Sequence, residues 1–514
     1  MSRSFLRSVL LPLGSWFLAA ALVSAQDAAP AGAMGPASAP QAKVDMTIQQ
    51  AVALAIAKNF DIQIQEYSVL TSKESVAIAK ADYDPSLQAS TTHNLTQQAN
   101  ASTTLEGSSA PRTEGAAGSI TVSQKVSTGA NVSLSANLFN RSSSNQSINT
   151  FNPQYNSGLA LSVTQPLLRG FGRTYNLANI KIALIGLDMA NLSYKGRVLD
   201  VIQSVENAYA SLVSSRESLD VLQFSLKLAQ TSDDETKARK NAGLLTDLDV
   251  YSSEYNVVSS RNNVLKAEQD IRNKEDALRQ LLGGDNYDVA ITPVTGIPPY
   301  NQPAPTVELS YRLALQNQTD YQRQLAAIKQ NELSVVVAKS NRLPSLGLTG
   351  GLGYTGRDQG FDQAWDRVRE RDSYNWNFGL SLNMPWGLHA DNARYRTSLY
   401  NLTTAQIQLR QLEQSLLVQV RSAVRTVEFN IESVRLTALA SQLSQKKYDF
   451  EKARYDVGQT TARDLLQAQS DLESARLGEL QAKVSLNTAL SALQRLEGLT
   501  LDTYHITVPT EKAP

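Results

Sequence analysis

The apolar positions along this chain follow two different periods. Over two stretches, about 175–241 and about 391–457, they recur at steps of three and four residues. This spacing averages about 3.5 residues, which predicts long helices that pack side by side with a left-handed supercoil. At about 1.5 Å per residue each helix would be roughly 100 Å long, more than a compact domain requires. The helical part is therefore expected to be an elongated bundle.

Between the helical stretches the pattern alternates with a period of two. One such region runs from Ser86 to about Pro166, and another covers about 345–384. Segments of about ten residues with one apolar and one polar face are typical of outer-membrane β-barrels. The first region has room for four strands and the second for two. Six strands cannot close a barrel alone, but several chains can. Tyr374 and Trp376 are expected in an aromatic belt at the membrane surface.

Each long helix is followed by the same short motif. Residues 238–250 read ARKNAGLLTDLDV and residues 453–465 read ARYDVGQTTARDL. A glycine just beyond a helix supplies the left-handed conformation that ends it, and Thr-x-x-Asp is a capping box that begins the next helix. Gly243 and Gly458 are therefore predicted to lie in tight turns between two helices.

The whole order of elements occurs twice, which predicts a tandem duplication. A first repeat at 47–284 and a second at 306–498 each read as helix, strands, long helix and helix. The opening helix is expected to run unbroken from Thr47 to about Ala81. A Pro-rich linker is predicted at 285–305, and a peripheral C-terminal tail at 499–514. The two shorter helices of a repeat together match one long helix, so we expect them to stack end to end along it.

The N-terminus has the pattern of a secretory signal peptide. Arg3 and Arg7 precede an apolar run from about Val9 to Val23, and small residues follow. This predicts a signal peptide at 1–25, cleaved after Ala25, and a disordered leader at 26–46. A membrane anchor is the alternative, but the run is short and interrupted by Pro12 and Gly14.

Composition excludes several functions. The 514 residues carry 48 basic and 48 acidic side chains, so bulk charge does not indicate nucleic acid as a partner. There is no cysteine, and His93, His389 and His505 have no metal-ligand spacing. No catalytic motif stands in a setting that could use it. We expect no enzyme activity, metal or cofactor.

The ordered set of motifs resembles the TolC family of outer-membrane efflux and secretion ducts over about 47–498. The resemblance rests on the helix openings at Thr47 and Thr306, the Pro-Ser-Leu segments at Pro85 and Pro344, the strand exits at Pro166 and Pro385, the two Gly-x-x-Thr-x-x-Asp turns, and the closing Leu-Leu-Gly and Leu-Glu-Gly. It implies a mainly α fold with transmembrane β: a homotrimeric β-barrel in the outer membrane of a diderm bacterium, continued by a periplasmic α-helical coiled-coil barrel. Better-known members give four strands per chain, so the insertion in the first repeat departs from the family.

The resemblance also implies roles for residues near the turns. Asp464 matches a constriction aspartate, and Tyr455 matches a tyrosine that bonds to the neighbouring hairpin, where its partner aligns with Asp249. As capping residues Asp249 and Asp464 would only stabilise helix N-termini, and Tyr455 could simply pack between helices. A second acidic position of the family is Gln467 here, so the mouth should be less acidic.

The hairpin tips are expected to contact a periplasmic adaptor protein that serves an inner-membrane RND or ABC transporter. The candidate tip residues are Gly243, Leu244, Leu245, Thr246, Gly458, Thr460 and Thr461. The implied function is a trimeric exit duct for efflux or type I secretion, surrounded by outer-membrane lipid. The alternatives are a secreted coiled-coil scaffold without a channel, and a general diffusion porin.

Overall fold

The computed structural model describes residues 43–97, 99, 110–144, 151–283, 290–296, 300 and 303–507. The predicted signal peptide and most of the predicted leader lie outside these described residues. No helix within them is both long enough and apolar enough to cross a bilayer.

The described elements fall into two halves with the same order of helices and strands. The first half contains β1 (Lys43–Met46), α1 (Ile48–Lys58), α2 (Phe60–Ala81), β2 (Ser86–Gln97), β3 (Arg112–Lys125), β4 (Asn131–Ser143), β5 (Gln154–Pro166), α3 (Arg173–Asn176), α4 (Ala178–Asn241) and α5 (Asp247–Leu282). The second half contains β6 (Ala290–Pro293), α6 (Val307–Asn317), α7 (Thr319–Asn341), β7 (Ser345–Asp358), α8 (Phe361–Glu370), β8 (Ser373–Asn383), α9 (His389–Asp456), α10 (Ala462–Glu497) and α11 (Thr500–Thr503).

The opening helix of the first repeat is broken, so the prediction of one helix from Thr47 to Ala81 is wrong. Asn59 has an extended conformation, and its side chain accepts hydrogen bonds from the amides of Asp61 and Ile62. Its Nδ2 donates to the carbonyl oxygen of Leu281 at 2.8 Å. The start of α2 therefore meets the end of α5, and both helices pack along α4 as the lengths predicted.

The second repeat has the same junction. The chain between α6 and α7 is extended at Gln318, and Nδ2 of the preceding Asn317 donates to the carbonyl oxygen of Glu497 at 3.2 Å. The start of α7 thus meets the end of α10, as α2 meets α5. The duplication predicted from the motifs therefore extends to the way the helices are joined.

Six strands form one antiparallel sheet in the order β2-β3-β4-β5-β7-β8, four from the first repeat and two from the second. The register places the predicted apolar positions on one face. One row across the sheet is Ala89, Ile120, Ala136, Leu159, Tyr354 and Tyr374, and the next is Leu87, Val122, Leu134, Leu161, Leu352 and Trp376. Polar and small residues such as Ser90, Ser119 and Asn137 occupy the other face.

Two short segments outside the predicted repeats pair with each other, although the first belongs to the leader that was expected to be disordered. Val44 in the predicted leader pairs with Ile291 in the predicted linker, so β1 and β6 form a parallel ladder. The hydroxyl of Tyr209 on α4 donates to the carbonyl oxygen of Met46 at 3.0 Å and fixes this ladder to the long helix. The strands are only four residues long, too short for a reliable alternating pattern.

The described part of the tail, residues 499–507, packs against the bundle and is not peripheral. Thr500 and Leu501 are buried, and the hydroxyl of Tyr504 donates to Oε1 of the buried Glu206 on α4 at 2.7 Å. Burial, together with the charge of Glu206, raises the pKa of the Tyr504 hydroxyl. The tail packs here through contacts with α4, such as the bond between Tyr504 and Glu206. The tail sequence alone does not reveal these contacts.

The apolar side chains are buried in separate clusters along the bundle. The largest surrounds Val198, Ile202, Val205 and Leu212 of α4. A second surrounds Leu416, Val420, Val424 and Val427 of α9. The third lies beside the turns and is described with them below. A rod with a succession of small clusters is the result expected for helices with 3.5-residue periodicity.

Candidate functional site

The two predicted turns have the same backbone structure. Gly243 and Gly458 have φ angles of +77° and +76°, the left-handed conformation that favours glycine. In the first turn, the amide of Leu244 donates to the carbonyl oxygen of Arg239 at 2.9 Å, and in the second, Gln459 donates to Arg454 at 2.8 Å. Each turn therefore reverses the chain and satisfies the last carbonyl groups of its long helix.

Capping boxes begin the return helices, as predicted. The amide of Thr246 donates to Oδ2 of Asp249 at 2.9 Å, and the amide of Asp249 donates to Oγ1 of Thr246 at 3.4 Å. Thr461 and Asp464 repeat this exchange, and Oγ1 of Thr460 adds a third donor to Asp464 at 3.1 Å.

These donors set the charge state of both carboxyl groups. The side-chain and backbone hydrogen bonds from Thr246 hold the pKa of Asp249 below its ordinary value of 3.8. Those from Thr461 and Thr460 do the same for the pKa of Asp464. Both residues are therefore anions at neutral pH. Asp464 is exposed, whereas Asp249 is half-buried.

Tyr455 lies in an apolar cluster between the two helical hairpins. Its side chain is only 3% exposed and packs with Tyr448, Leu465, Ala468 and Leu472. Its hydroxyl has no hydrogen-bond partner among the described residues. A buried hydroxyl without a partner is unfavourable by about 1–3 kcal/mol, which the packing of the ring must offset.

Arg239 joins the hairpins at this point, and it was not predicted. Its guanidinium lies 4.3 Å from the centroid of the Tyr455 ring, and Nη1 donates to the Tyr455 carbonyl oxygen at 3.2 Å. Nη2 lies 4.0 Å from Oδ1 of Asp456. The sequence offers one signal for this contact, the repeated Ala-Arg pair. That signal is weak, because the arginine of the second copy, Arg454, stays on its own hairpin and donates to the Gln459 carbonyl oxygen.

Asp249 and Tyr455 are not bonded to each other within one chain. Oδ2 of Asp249 is held by Thr246, and the Tyr455 hydroxyl remains free. The bond expected between neighbouring hairpins stays a prediction. Gln467, at the second acidic position of the resembled family, carries no charge. Its side-chain amide donates to Oδ1 of Asp471 at 2.8 Å.

The tip residues predicted to contact a partner differ between the hairpins. On the first, Leu244 is 73% exposed, Leu245 is half-buried, and Thr246 is exposed. On the second, the corresponding residues are polar, and Thr460 and Thr461 are tied to Asp464. The first tip is therefore the more apolar of the two.

Polar groups also link the helices behind the tips. Nζ of Lys237 lies 2.8 Å from Asp233 and 2.9 Å from Glu254, and hydrogen bonds to both carboxylates raise its pKa. Ser225 on α4 donates to Glu473 on α10. The described part of the chain contains no group of three or more His, Asp or Glu side chains arranged to hold a metal ion.

Comparisons with known proteins cover both hairpins. The family model described as "Outer membrane efflux protein" matches residues 130–284 and 310–499. The chain is 23% identical over 326 residues to outer membrane protein TolC of Escherichia coli (strain K12), covering 61% of this chain and 65% of that protein. It is 25% identical over 196 residues to the alkaline protease secretion protein AprF of Pseudomonas aeruginosa, covering 37% and 40%. The matched region thus spans less than two thirds of these relatives.

Solved structures share the fold over a longer range. The Campylobacter jejuni CmeC outer membrane channel has a TM-score of 0.65 at 19% identity, covering 88% of this chain and 85% of that one. The open state of the Neisseria gonorrhoeae MtrE outer membrane channel has a TM-score of 0.60 at 18% identity, covering 88% of each chain.

Proposed function

The chain belongs to the outer membrane efflux protein family, and from this premise we propose that three copies form an exit duct for efflux or type I secretion. The fold is TolC-like, with the sheet in the outer membrane and the helices in the periplasm. One duct would then carry substrates from an inner-membrane transporter to the exterior without a chemical step of its own.

The observation that carries this proposal is an open sheet attached to long helices. Strands β2 and β8 are the edges of the six-stranded sheet, and each presents unpaired backbone groups along one side. Such edges invite pairing with another chain. If β8 of each copy pairs with β2 of the next, three copies close a barrel of eighteen strands, a size that leaves an aqueous channel.

The helices support the same assembly. Helices α4 and α9 have 64 and 68 residues, so each is roughly 100 Å long. A series of large apolar side chains on α9 is exposed in one chain, including Tyr400, Ile407, Val418, Phe429, Leu436, Leu443 and Phe450. Exposed apolar surface of this length indicates contact with other subunits.

The turns would form the periplasmic mouth. Three copies of Asp464 would give a ring of carboxylates that favours cations, and Asp249, Tyr455 and Arg239 would hold the hairpins together. Leu244, with Leu245, Thr246, Thr460 and Thr461 beside Gly243 and Gly458, would contact the adaptor of an RND or ABC transporter. The family is described by efflux and one relative by protease secretion, so the cognate transporter would set the cargo.

The experiment is extraction of the full chain from outer membranes followed by reconstitution. We expect detergent to be required, the purified protein to be a trimer by chemical crosslinking, and planar bilayers to show single channels. A freely soluble monomer would support the coiled-coil scaffold instead. Export that continues after deletion of every candidate transporter would support the diffusion porin.

A further inference from the structure

Helix α8 packs on the apolar face of the sheet. A Cβ built at Gly356 would collide with the carbonyl oxygen of Ala364, so the helix backbone lies directly against this strand. Gly356 pairs with Ser157, whose side chain points to the same face and is 2% exposed. The guanidinium of Arg371, just after the helix, lies 5.7 Å from the ring centroid of Tyr354, which also stands on this face.

Helix α8 lies at the end of the sheet that is remote from the long helices. It connects β7 to β8, whereas the helices α7 and α9 join the opposite ends of these two strands. In the outer membrane this end of the sheet faces the exterior. With the apolar face of the sheet toward lipid, as the proposed function requires, the helix would lie at the level of the outer leaflet on the lipid-facing side.

The helix has one apolar and one charged side. Ala364 and Val368 are buried against the sheet, whereas the side chains of Asp366 and Arg369 are 59% and 80% exposed. A helix of this kind can lie in the plane of a membrane interface, with its charged side in water. It covers Ser157 and Gly356, but it does not seal the strands beside them.

A groove of about 460 Å³ remains between α8 and strands β2, β3 and β4. Its walls include Ala89, Ile120, Ala136, Leu138, Phe361 and Trp365, and it contains no charged lining residue. Its volume lies within the range of about 300–1,000 Å³ usual for small-molecule sites. The groove is continuous with the exposed apolar rows of the sheet, so a lipid chain can enter it without crossing a polar barrier.

We propose that this groove binds one acyl chain of an outer-leaflet lipid, which α8 holds against the barrel wall. The inference rests on the proposed orientation of the sheet in the outer membrane. Close van der Waals contact between the chain and the groove walls supplies the affinity, because a lipid chain is already out of water before it binds. The aromatic rings of Phe361 and Trp365 form the outer wall, and the small side chain of Ala136 leaves the space.

The test uses the full chain, purified in detergent and freed of lipid, with a dioleoyl phospholipid as the probe. Native mass spectrometry should show saturable binding of one lipid per chain. Ala136→Phe fills the groove and should weaken binding by on the order of tenfold, since the added ring occupies the space of the chain and overpacking of this size is worth about that factor. Val163→Phe, on the same face but near the other end of β5, is the matched control and should leave binding unchanged.

Trp365→Ala removes the outer wall and gives an independent variant if Ala136→Phe fails to fold. It should also weaken binding. Equal, saturable binding to wild type and both variants would overturn the proposal, as would binding that never saturates. Crosslinking of the same preparations separates this failure from failure of the proposed function. Intact trimers without bound lipid reject only the groove, whereas absence from the outer membrane rejects the duct.

Discussion

At the scale of single residues, the proposed function depends on which groups near the turns are charged and which lack a hydrogen-bond partner. Asp464 is exposed and ionised, because two threonines donate to its carboxylate. Tyr455 is buried with a hydroxyl that has no partner within the described chain, under the guanidinium of Arg239. In the proposed duct the first residue would set the charge of the periplasmic mouth, and the second is the residue predicted to bond to the neighbouring hairpin.

Asp464→Asn should reduce the cation selectivity of the reconstituted channel. Asparagine can still accept the hydrogen bonds of the capping box, so the main loss is three negative charges at the mouth. Reversal potentials across a salt gradient measure the effect. Asp502→Asn, in the tail, is the control and should leave the potential unchanged. Equal selectivity of wild type and Asp464→Asn would show that this residue only caps its helix.

The pH dependence follows from the lowered pKa of Asp464. Because the folded pKa lies below 3.8, the charge and its contribution to stability are fully present above that value. Both are lost as the pH falls through the folded pKa. Cation selectivity should therefore be constant from neutral pH down to about 5 and fall only in stronger acid. A decline centred near pH 6 would indicate another titrating group.

Tyr455→Phe combined with Asp249→Ala should make the closed channel leakier. The change removes the predicted bond between neighbouring hairpins and half of the first capping box. Single-channel conductance in planar bilayers measures the leak. Tyr448→Phe is the matched control, since this tyrosine lies in the same cluster but is not predicted to bond across. Unchanged conductance of the double variant would count against the gate.

At the scale of elements, some helices, turns and strands are determined by local sequence pattern, and others by contacts between residues far apart in the chain. The long helices, both turns and the two strand regions were predicted, because their periodicity or capping motifs lie within each element, whereas the sequence left four or six strands per chain open. The break at Asn59 was missed because its amide bonds to Leu281, 222 residues away. Helix α8, the β1–β6 ladder and the packed tail were missed because they are short and form only against other elements. Arg239 was missed for the same reason.

Helix α5 offers a direct test of its two sides. Leu278 is fully buried between α1 and α4, and Leu278→Ala should cost about 2–5 kcal/mol of stability. Gln269, on the same helix, is exposed and polar, so Gln269→Ala should be nearly neutral. The temperature at which the purified trimer dissociates measures the difference. Equal loss in both variants would contradict the assigned packing of α5.

At the scale of the whole molecule, the proposed assembly makes the chain one third of a structure that it cannot complete alone. Its sheet has two open edges, and its helices expose apolar side chains along their length. Its six strands exceed the four that better-known members of the resembled family contribute, so the barrel should be wider than theirs. The turns lie at one end of the long helices, the strands at the other, and the α8 groove at the far end of the strands.

The most direct test of this account is electron cryo-microscopy of the detergent-purified mature protein. We expect the map to show three chains around one axis and a barrel of eighteen strands, closed by pairing of β8 with β2 of the next chain. The turns should converge at the opposite end. A monomer, or a trimer whose sheets do not join into one barrel, would contradict it.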